Sequence, residues 1–178
     1  MRRLAIALAL LSLLALVGCG EKEVAQLPPP HRMTAELIGH YCGMNVLEHP
    51  GPKGQIFAAS LIEPVWFSSV RDTVAFTMLP DEPKDIQAIY VSDMAKATSW
   101  EEPGADNWIE ARKALFVIGS RVQGGMGGDE PVPFSDRAAA EKFAAENGGR
   151  VVPFAEIPRD YVLASGEQPD RPKPARAN

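Results

Sequence analysis

Two stretches of the chain follow one pattern, and a repeated pattern points to a fold built twice. In the first, residues 55–62 (QIFAASLI) form an apolar strand and 64–67 (PVWF) a short second strand. Residues 68–79 (SSVRDTVAFTML) suit a helix, and 86–91 (IQAIYV) a closing strand. In the second, 114–119 (ALFVIG) and 131–134 (PVPF) are strands, 135–147 (SDRAAAEKFAAEN) a helix and 150–154 (RVVPF) the last strand. Each copy enters its helix through Phe-Ser, at Phe67-Ser68 and Phe134-Ser135, and sets another phenylalanine nine residues on, at Phe76 and Phe143. On a helix that spacing returns both aromatics toward one core. Ser69 with Asp72 has the capping-box spacing. Ser135 is expected to cap the second helix, with Asp136 facing its positive end and Gly148 at its C-terminus. The predicted fold class is α+β: two related ββαβ-like units packed into one compact body.

The first twenty residues, MRRLAIALALLSLLALVGCG, are of another kind. Arg2 and Arg3 precede an apolar run that is too short for a comfortable bilayer span of about 20 residues but fits the h-region of a signal peptide. The run ends in Leu16-Val17-Gly18-Cys19, which resembles a bacterial lipobox. The resemblance implies cleavage before Cys19 and lipid on that cysteine, an anchor that holds a protein at a membrane without spanning it. The expected organisation is a lipoprotein signal peptide at 1–18, a lipidated Cys19 and proline-rich linker through 32, a folded domain at 33–163 and a disordered tail at 164–178. Pro28-Pro29-Pro30 reads as a semi-rigid spacer and Met33 as a residue near that linker. The tail is rich in proline and charge and nearly free of large apolar residues.

The formal charge of −5 becomes two units more negative without Arg2 and Arg3. Such a balance argues against nucleic acid as a partner, because phosphate binding needs clustered lysine and arginine. The chain has two cysteines. With Cys19 carrying lipid, Cys42 has no partner for a disulfide within the chain. A lone thiol in an oxidising compartment is an inert core residue, a nucleophile or a metal ligand.

The surroundings of Cys42, His40-Tyr41-Cys42-Gly43-Met44-Asn45, favour the ligand. On an extended segment, side chains two apart point the same way, so the sulfurs of Cys42 and Met44 would converge, and Gly43 lets the backbone bend. Thiolate and thioether are soft donors that select Cu(I). A third donor is expected from Met126, framed by four glycines in Gly124-Gly125-Met126-Gly127-Gly128, where it reads as a ligand on a mobile arm. His40 lies on the Cys42 side of an extended strand and is an auxiliary donor candidate. His49 reads as a loop residue, and Met78 and Met94 as core fillers. A closed zinc site would need four Cys or His ligands in paired spacings, and the chain carries no HExxH, P-loop or GxGxxG pattern.

Read in order, the lipobox cysteine, Tyr41-Cys42-Gly43-Met44, Tyr90-Val91-Ser92-Asp93, the Trp108 strand and the Met126-Gly127 loop resemble the NosL family. The helix with Phe134, Ala139 and Phe143 running into Gly148-Gly149 completes the likeness. These are copper-binding lipoproteins accessory to nitrous oxide reductase. The resemblance implies a periplasmic Cu(I) metallochaperone anchored by lipid, not an enzyme. It would deliver copper for the copper–sulfide centre of nitrous oxide reductase together with an ABC-type maturation complex. One departure is Gly125, which stands where many members carry a proline before the loop methionine. Two rivals follow from the residues alone: a redox or nucleophilic enzyme using Cys42 as its thiol, and a structural lipoprotein with Cys42 buried.

Overall fold

The structure is a computed structural model and describes residues 26–163. The lipobox, Cys19 and the tail lie outside the described residues. Strands β1 (Gly54–Ala58) and β2 (Val65–Phe67), helix α1 (Val70–Met78) and strand β3 (Ile86–Ser92) form the first unit. Strand β4 (Trp108–Glu110) extends its sheet to the order β2-β1-β3-β4, with antiparallel pairing throughout. Strands β5 (Leu115–Ile118) and β6 (Val132–Phe134), helix α2 (Arg137–Asn147) and strand β7 (Arg150–Pro153) form the second unit, in the order β6-β5-β7. A short helix, α3 (Arg159–Leu163), follows.

The two units repeat each other in register as well as in topology. In each, the first strand is central, the second lies on one side and the strand after the helix on the other. Phe67 pairs with Gly54, the first residue of β1, and Phe134 pairs with Leu115, the first residue of β5. The phenylalanine nine residues on closes back onto it in both copies: Phe67–Phe76 and Phe134–Phe143 each have ring centroids 5.3 Å apart. Such a pair adds about 0.5–1.5 kcal/mol beyond simple burial. The repeat read from the sequence is therefore structural.

One core joins the units. Ile56, Phe67, Val74, Phe76 and Ile89 of the first pack with Phe116, Ile118 and Val152 of the second and with Val162 of α3. Strand alternation turns Val117 the other way, into a second cluster with Val132, Phe134 and Ala140 beneath α2. Asp93, at the exit of β3, ties the units together. Its buried carboxylate accepts from the backbone of Ala95 and Ser135 at 3.1 and 2.9 Å and meets the Lys96 ammonium at 3.0 Å. Burial alone would push this carboxyl up, but those partners together hold it below its ordinary value. Tyr90-Val91-Ser92-Asp93 is thus a junction between units.

Helix α1 begins as expected, with the Ser69 hydroxyl accepting from the Asp72 amide at 3.0 Å. It stops at Leu79, held extended before Pro80. The cap of α2 differs from expectation. Asp136, rather than Ser135, accepts from the Ala139 amide at 2.8 Å, and the side chain and N–H of Ser135 are both turned to Asp93 instead. Gly148 ends α2 at a positive φ of 77°, as expected.

The proline-rich segment is not a free spacer where it is described. The Pro28 carbonyl accepts from the Tyr90 hydroxyl at 2.7 Å, and His31 exchanges two backbone hydrogen bonds with the Gln55 amide. His31 also stands edge-on to Phe57. Packing therefore starts ahead of residue 33, and Met33 is a core residue, buried with Val46 and Trp66. Met78 and Met94 pack against the cores as expected.

Helix and strand meet most closely at Gly54. A Cβ there would lie 2.0 Å from Thr73 Oγ1 and 2.7 Å from its Cγ2. Thr73 is buried and its hydroxyl is bonded to the Ser69 carbonyl, so it cannot yield without loss. Gly54→Ala is expected to destabilise the protein by about 1–3 kcal/mol, read as a lower urea midpoint at unchanged slope. An unchanged midpoint would show that α1 is free to ride outward.

Candidate metal site

Residues 37–46 form a small hairpin. The Val46 amide donates to the Leu37 carbonyl at 3.0 Å, the Gly39 amide to the Met44 carbonyl at 2.9 Å, and Ile38 bridges Asn45. Between them His40–Gly43 turn, closed by the Gly43 amide on the Gly39 carbonyl at 2.9 Å. The segment is thus a turn and not the extended strand expected. Gly43 sits at φ 65° with nothing within 4 Å of where a Cβ would point, so its role is the dihedral and not room for a neighbour. The His40 amide donates to the Trp66 carbonyl at 2.8 Å and pins the turn to β2.

The turn aims Cys42 inward. Its Sγ lies 3.3 Å from Ser68 Oγ and 3.9 Å from the carbonyls of Gly39 and Met44. The thiol is free and half-buried. Gly39 makes room for it: a Cβ at that position would lie 2.6 Å from the sulfur and 2.7 Å from Ser68 Oγ. Met44 is half-buried two residues on, close in chain to the thiol. His40 faces elsewhere, its Nε2 3.5 Å from Glu82, a carboxylate that also accepts from the Tyr41 hydroxyl at 2.7 Å. Both rings rest against Phe67 and Phe76. Burial, and then Glu82, push the Tyr41 hydroxyl well above its ordinary pKa.

Met126 stands at the tip of a turn within the β5–β6 connection and is 46% exposed. The turn is closed by the Gly124 amide on the Gly128 carbonyl and the Gly127 amide on the Gly124 carbonyl, both 2.8 Å, and Gln123 bridges Asp129. Its glycines do not make a bare arm, as the sequence suggested. Three of the four are contact points, while Gly127 faces open space. A Cβ on Gly124 would lie 2.2 Å from Glu130 Oε2, one on Gly125 2.5 Å from the Pro50 carbonyl, and one on Gly128 2.5 Å from Arg71 Nη1. Met126 lines a cavity of ≈ 350 Å³ whose walls include Ser69, Arg71, Asp72 and Glu130.

Cys42 and Met126 thus approach the start of α1 from two places, Cys42 at Ser68 and Met126 beside Ser69 and Arg71. Cys42 and Met44 share one turn, but neither lines the Met126 cavity. Gly125 connects the two segments by resting on His49 and Pro50.

Two buried charges beside the site gave no sequence signal. The Lys53 ammonium donates to the carbonyls of His49, Pro50 and Gly51 at 2.6, 3.3 and 2.7 Å. Glu130 Oε1 accepts from the amides of Val70 and Arg71 at 2.6 and 3.3 Å, the first residues of α1. Burial pulls the Lys53 ammonium down against the opposing pull of Glu130, and pushes the Glu130 carboxyl up against the amides and Lys53. Gly39 and Ser68 were missed as well, since a glycine and a serine in a loop look like ordinary turn residues.

Among the described residues, no group of three or more His, Cys, Asp and Glu side chains could hold a metal ion. The donors on offer are sulfur. Also among them, no helix is long and apolar enough to cross a membrane.

Fold and site together define a class: a small duplicated ββαβ domain that presents a free thiol and an exposed thioether around the start of its first helix. The NosL family model matches residues 30–162, and the chain belongs to the NosL family. It is 46% identical over 161 residues to a protein of Achromobacter cycloclastes named copper-binding lipoprotein NosL, covering 90% of this chain and 83% of that one. A second protein of that name, from Stutzerimonas stutzeri, is 34% identical over 151 residues, covering 84% and 77%. The crystal structure of the copper chaperone NosL from Shewanella denitrificans superposes with a TM-score of 0.68 at 34% identity, covering 73% of this chain and 97% of that one.

Proposed function

We propose that this protein is a lipid-anchored Cu(I) carrier of the bacterial periplasm. It would hold one cuprous ion as cargo between Cys42, Met44 and Met126 and deliver it for the copper–sulfide centre of nitrous oxide reductase, with an ABC-type maturation complex as partner. The names of its relatives support copper as the cargo. The observation that carries the reading is the setting of Cys42. Its sulfur is free, half-buried in a turn, and touched by a hydroxyl and two carbonyls instead of an imidazole or an ammonium.

That setting suits a carrier better than a thiol enzyme, which needs a base beside its nucleophile. The imidazole nearest in sequence, His40, is engaged with Glu82. Thiolate and thioethers are soft donors that prefer Cu(I). Three of them leave a coordination position open to a partner's incoming ligand, so the ion moves by stepwise exchange. Protonation of Cys42 assists release, because the ligand must be the thiolate. Closure of the exposed Met126 thioether onto Cys42, around the start of α1, completes the set.

X-ray absorption on the Cu(I)-loaded protein tests this by counting neighbours. The expected shell is dominated by sulfur and loses one sulfur in Met126→Leu. A shell of nitrogen and oxygen alone would overturn the ligand assignment.

A further inference from the structure

We propose that Lys53 and Glu130 are positioning residues that hold the Met126 turn in reach of Cys42, so that the third sulfur is delivered by two buried, hydrogen-bonded side chains. This inference rests on the reading of Met126 as a copper ligand.

The Met126 turn has two supports, at the two glycines that lead into its methionine. Gly124 lies against the Glu130 carboxylate, and that carboxylate is fastened by its other oxygen to the amides of Val70 and Arg71. Gly125 lies against His49 and Pro50, and those residues are fastened by their carbonyls to the Lys53 ammonium. Lys53 is itself fixed, its backbone amide donating to Ser92 Oγ at 3.0 Å. Each support is a buried charge, 1% and 2% exposed, and each feels the other's field. The same Lys53-bound loop, 49–51, continues directly from the Cys42 hairpin. Glu130 thus ties the Met126 turn to the N-terminal end of α1, and Lys53 ties the loop that follows the Cys42 hairpin to the end of β3.

Stability alone does not account for this pair. Opposite charges taken from water into a protein interior are often replaced by apolar groups at no loss of stability, whereas removing a single partner leaves a costly lone charge. What buried charges supply and apolar side chains do not is direction. The ammonium fixes three carbonyls at once, and the carboxylate fixes two amides. A glycine turn without side chains of its own takes its position from such partners.

The test removes both charges together, as Lys53→Met/Glu130→Gln in the full chain, with Glu130→Gln alone as the milder variant. Glutamine keeps an oxygen for the Val70 amide, so the single variant decides the matter if the double one does not fold by circular dichroism. Cu(I) affinity, measured anaerobically against a chromogenic chelator, is expected to fall by ~10–100-fold in the double variant, the scale of losing an outer-shell partner. X-ray absorption is expected to show one sulfur fewer, as in Met126→Leu. Adding Met126→Leu to the double variant is expected to cost nothing more, since the thioether is already lost. A merely structural pair would give additive losses, or no loss with a full sulfur count, and either result overturns the proposal. If Met126→Leu by itself leaves affinity and sulfur count unchanged, the ligand reading fails and takes this inference with it. If Met126→Leu weakens binding while the charge variants do not, only this inference fails.

Discussion

Cys42→Ala is expected to abolish useful Cu(I) retention. The thiolate is the one anionic sulfur in the set, so its loss should exceed the upper end of an outer-shell effect, more than ~100-fold in affinity. The fold should hardly notice. Cys42 is half-buried, and trimming one sulfur from such a site costs about 1 kcal/mol or less. Anaerobic competition against a Cu(I) chelator reads the first quantity and urea unfolding the second. Undiminished copper retention in the variant would end the assignment of Cys42 as the main ligand, because other donors would then suffice. Met44→Leu and Met126→Leu are expected to weaken binding less, since each removes a neutral donor.

Gly39→Ala is expected to damage the same site without touching a ligand. Gly39 is not among the glycines at positive φ, so alanine fits its backbone and the effect is steric. The new methyl would come 2.6 Å from Cys42 Sγ and 2.7 Å from Ser68 Oγ, far inside the ~3.5–4.0 Å of an ordinary contact. Either the sulfur turns away or the hairpin lifts from β2. A fall of ~10–100-fold in Cu(I) affinity is expected, comparable to losing an outer-shell partner. Gly43→Ala supplies the contrast. Its methyl meets open space, but φ of 65° costs alanine about 1–2 kcal/mol, so stability should drop more than affinity. Equal affinity in Gly39→Ala and the unaltered protein would show that the pocket around Cys42 has slack.

Much of the fold was legible in the residues because a duplicated unit states its pattern twice. Phe67 with Phe76, and Phe134 with Phe143, mark the same places in both copies and close the same ring contact. The candidate site was legible at the level of chemistry, since Cys42, Met44 and the glycine-framed Met126 carry soft sulfur atoms. Its geometry was not. Periodicity cannot tell a strand from a turn over six residues, so Cys42 and Met44 looked extended when hydrogen bonds from Gly39, Gly43 and Val46 curl them into a hairpin. The Ser135 cap was misplaced for a related reason: Asp93, 42 residues away, holds both its side chain and its amide.

By itself the sequence determined the duplicated α+β plan and the kinds of donor atom, because hydrophobic spacing and side-chain chemistry are local properties carried by each residue wherever it sits. Tertiary structure decided where those donors point. Gly125 on Pro50, and Glu130 on the amides of Val70 and Arg71, are contacts between segments far apart in the chain. In sequence, a lysine and a glutamate in loops look like solvated charges. Only the packed interior, where a lone charge is costly and every amide and carbonyl seeks a partner, turns them into buried partners of backbone groups.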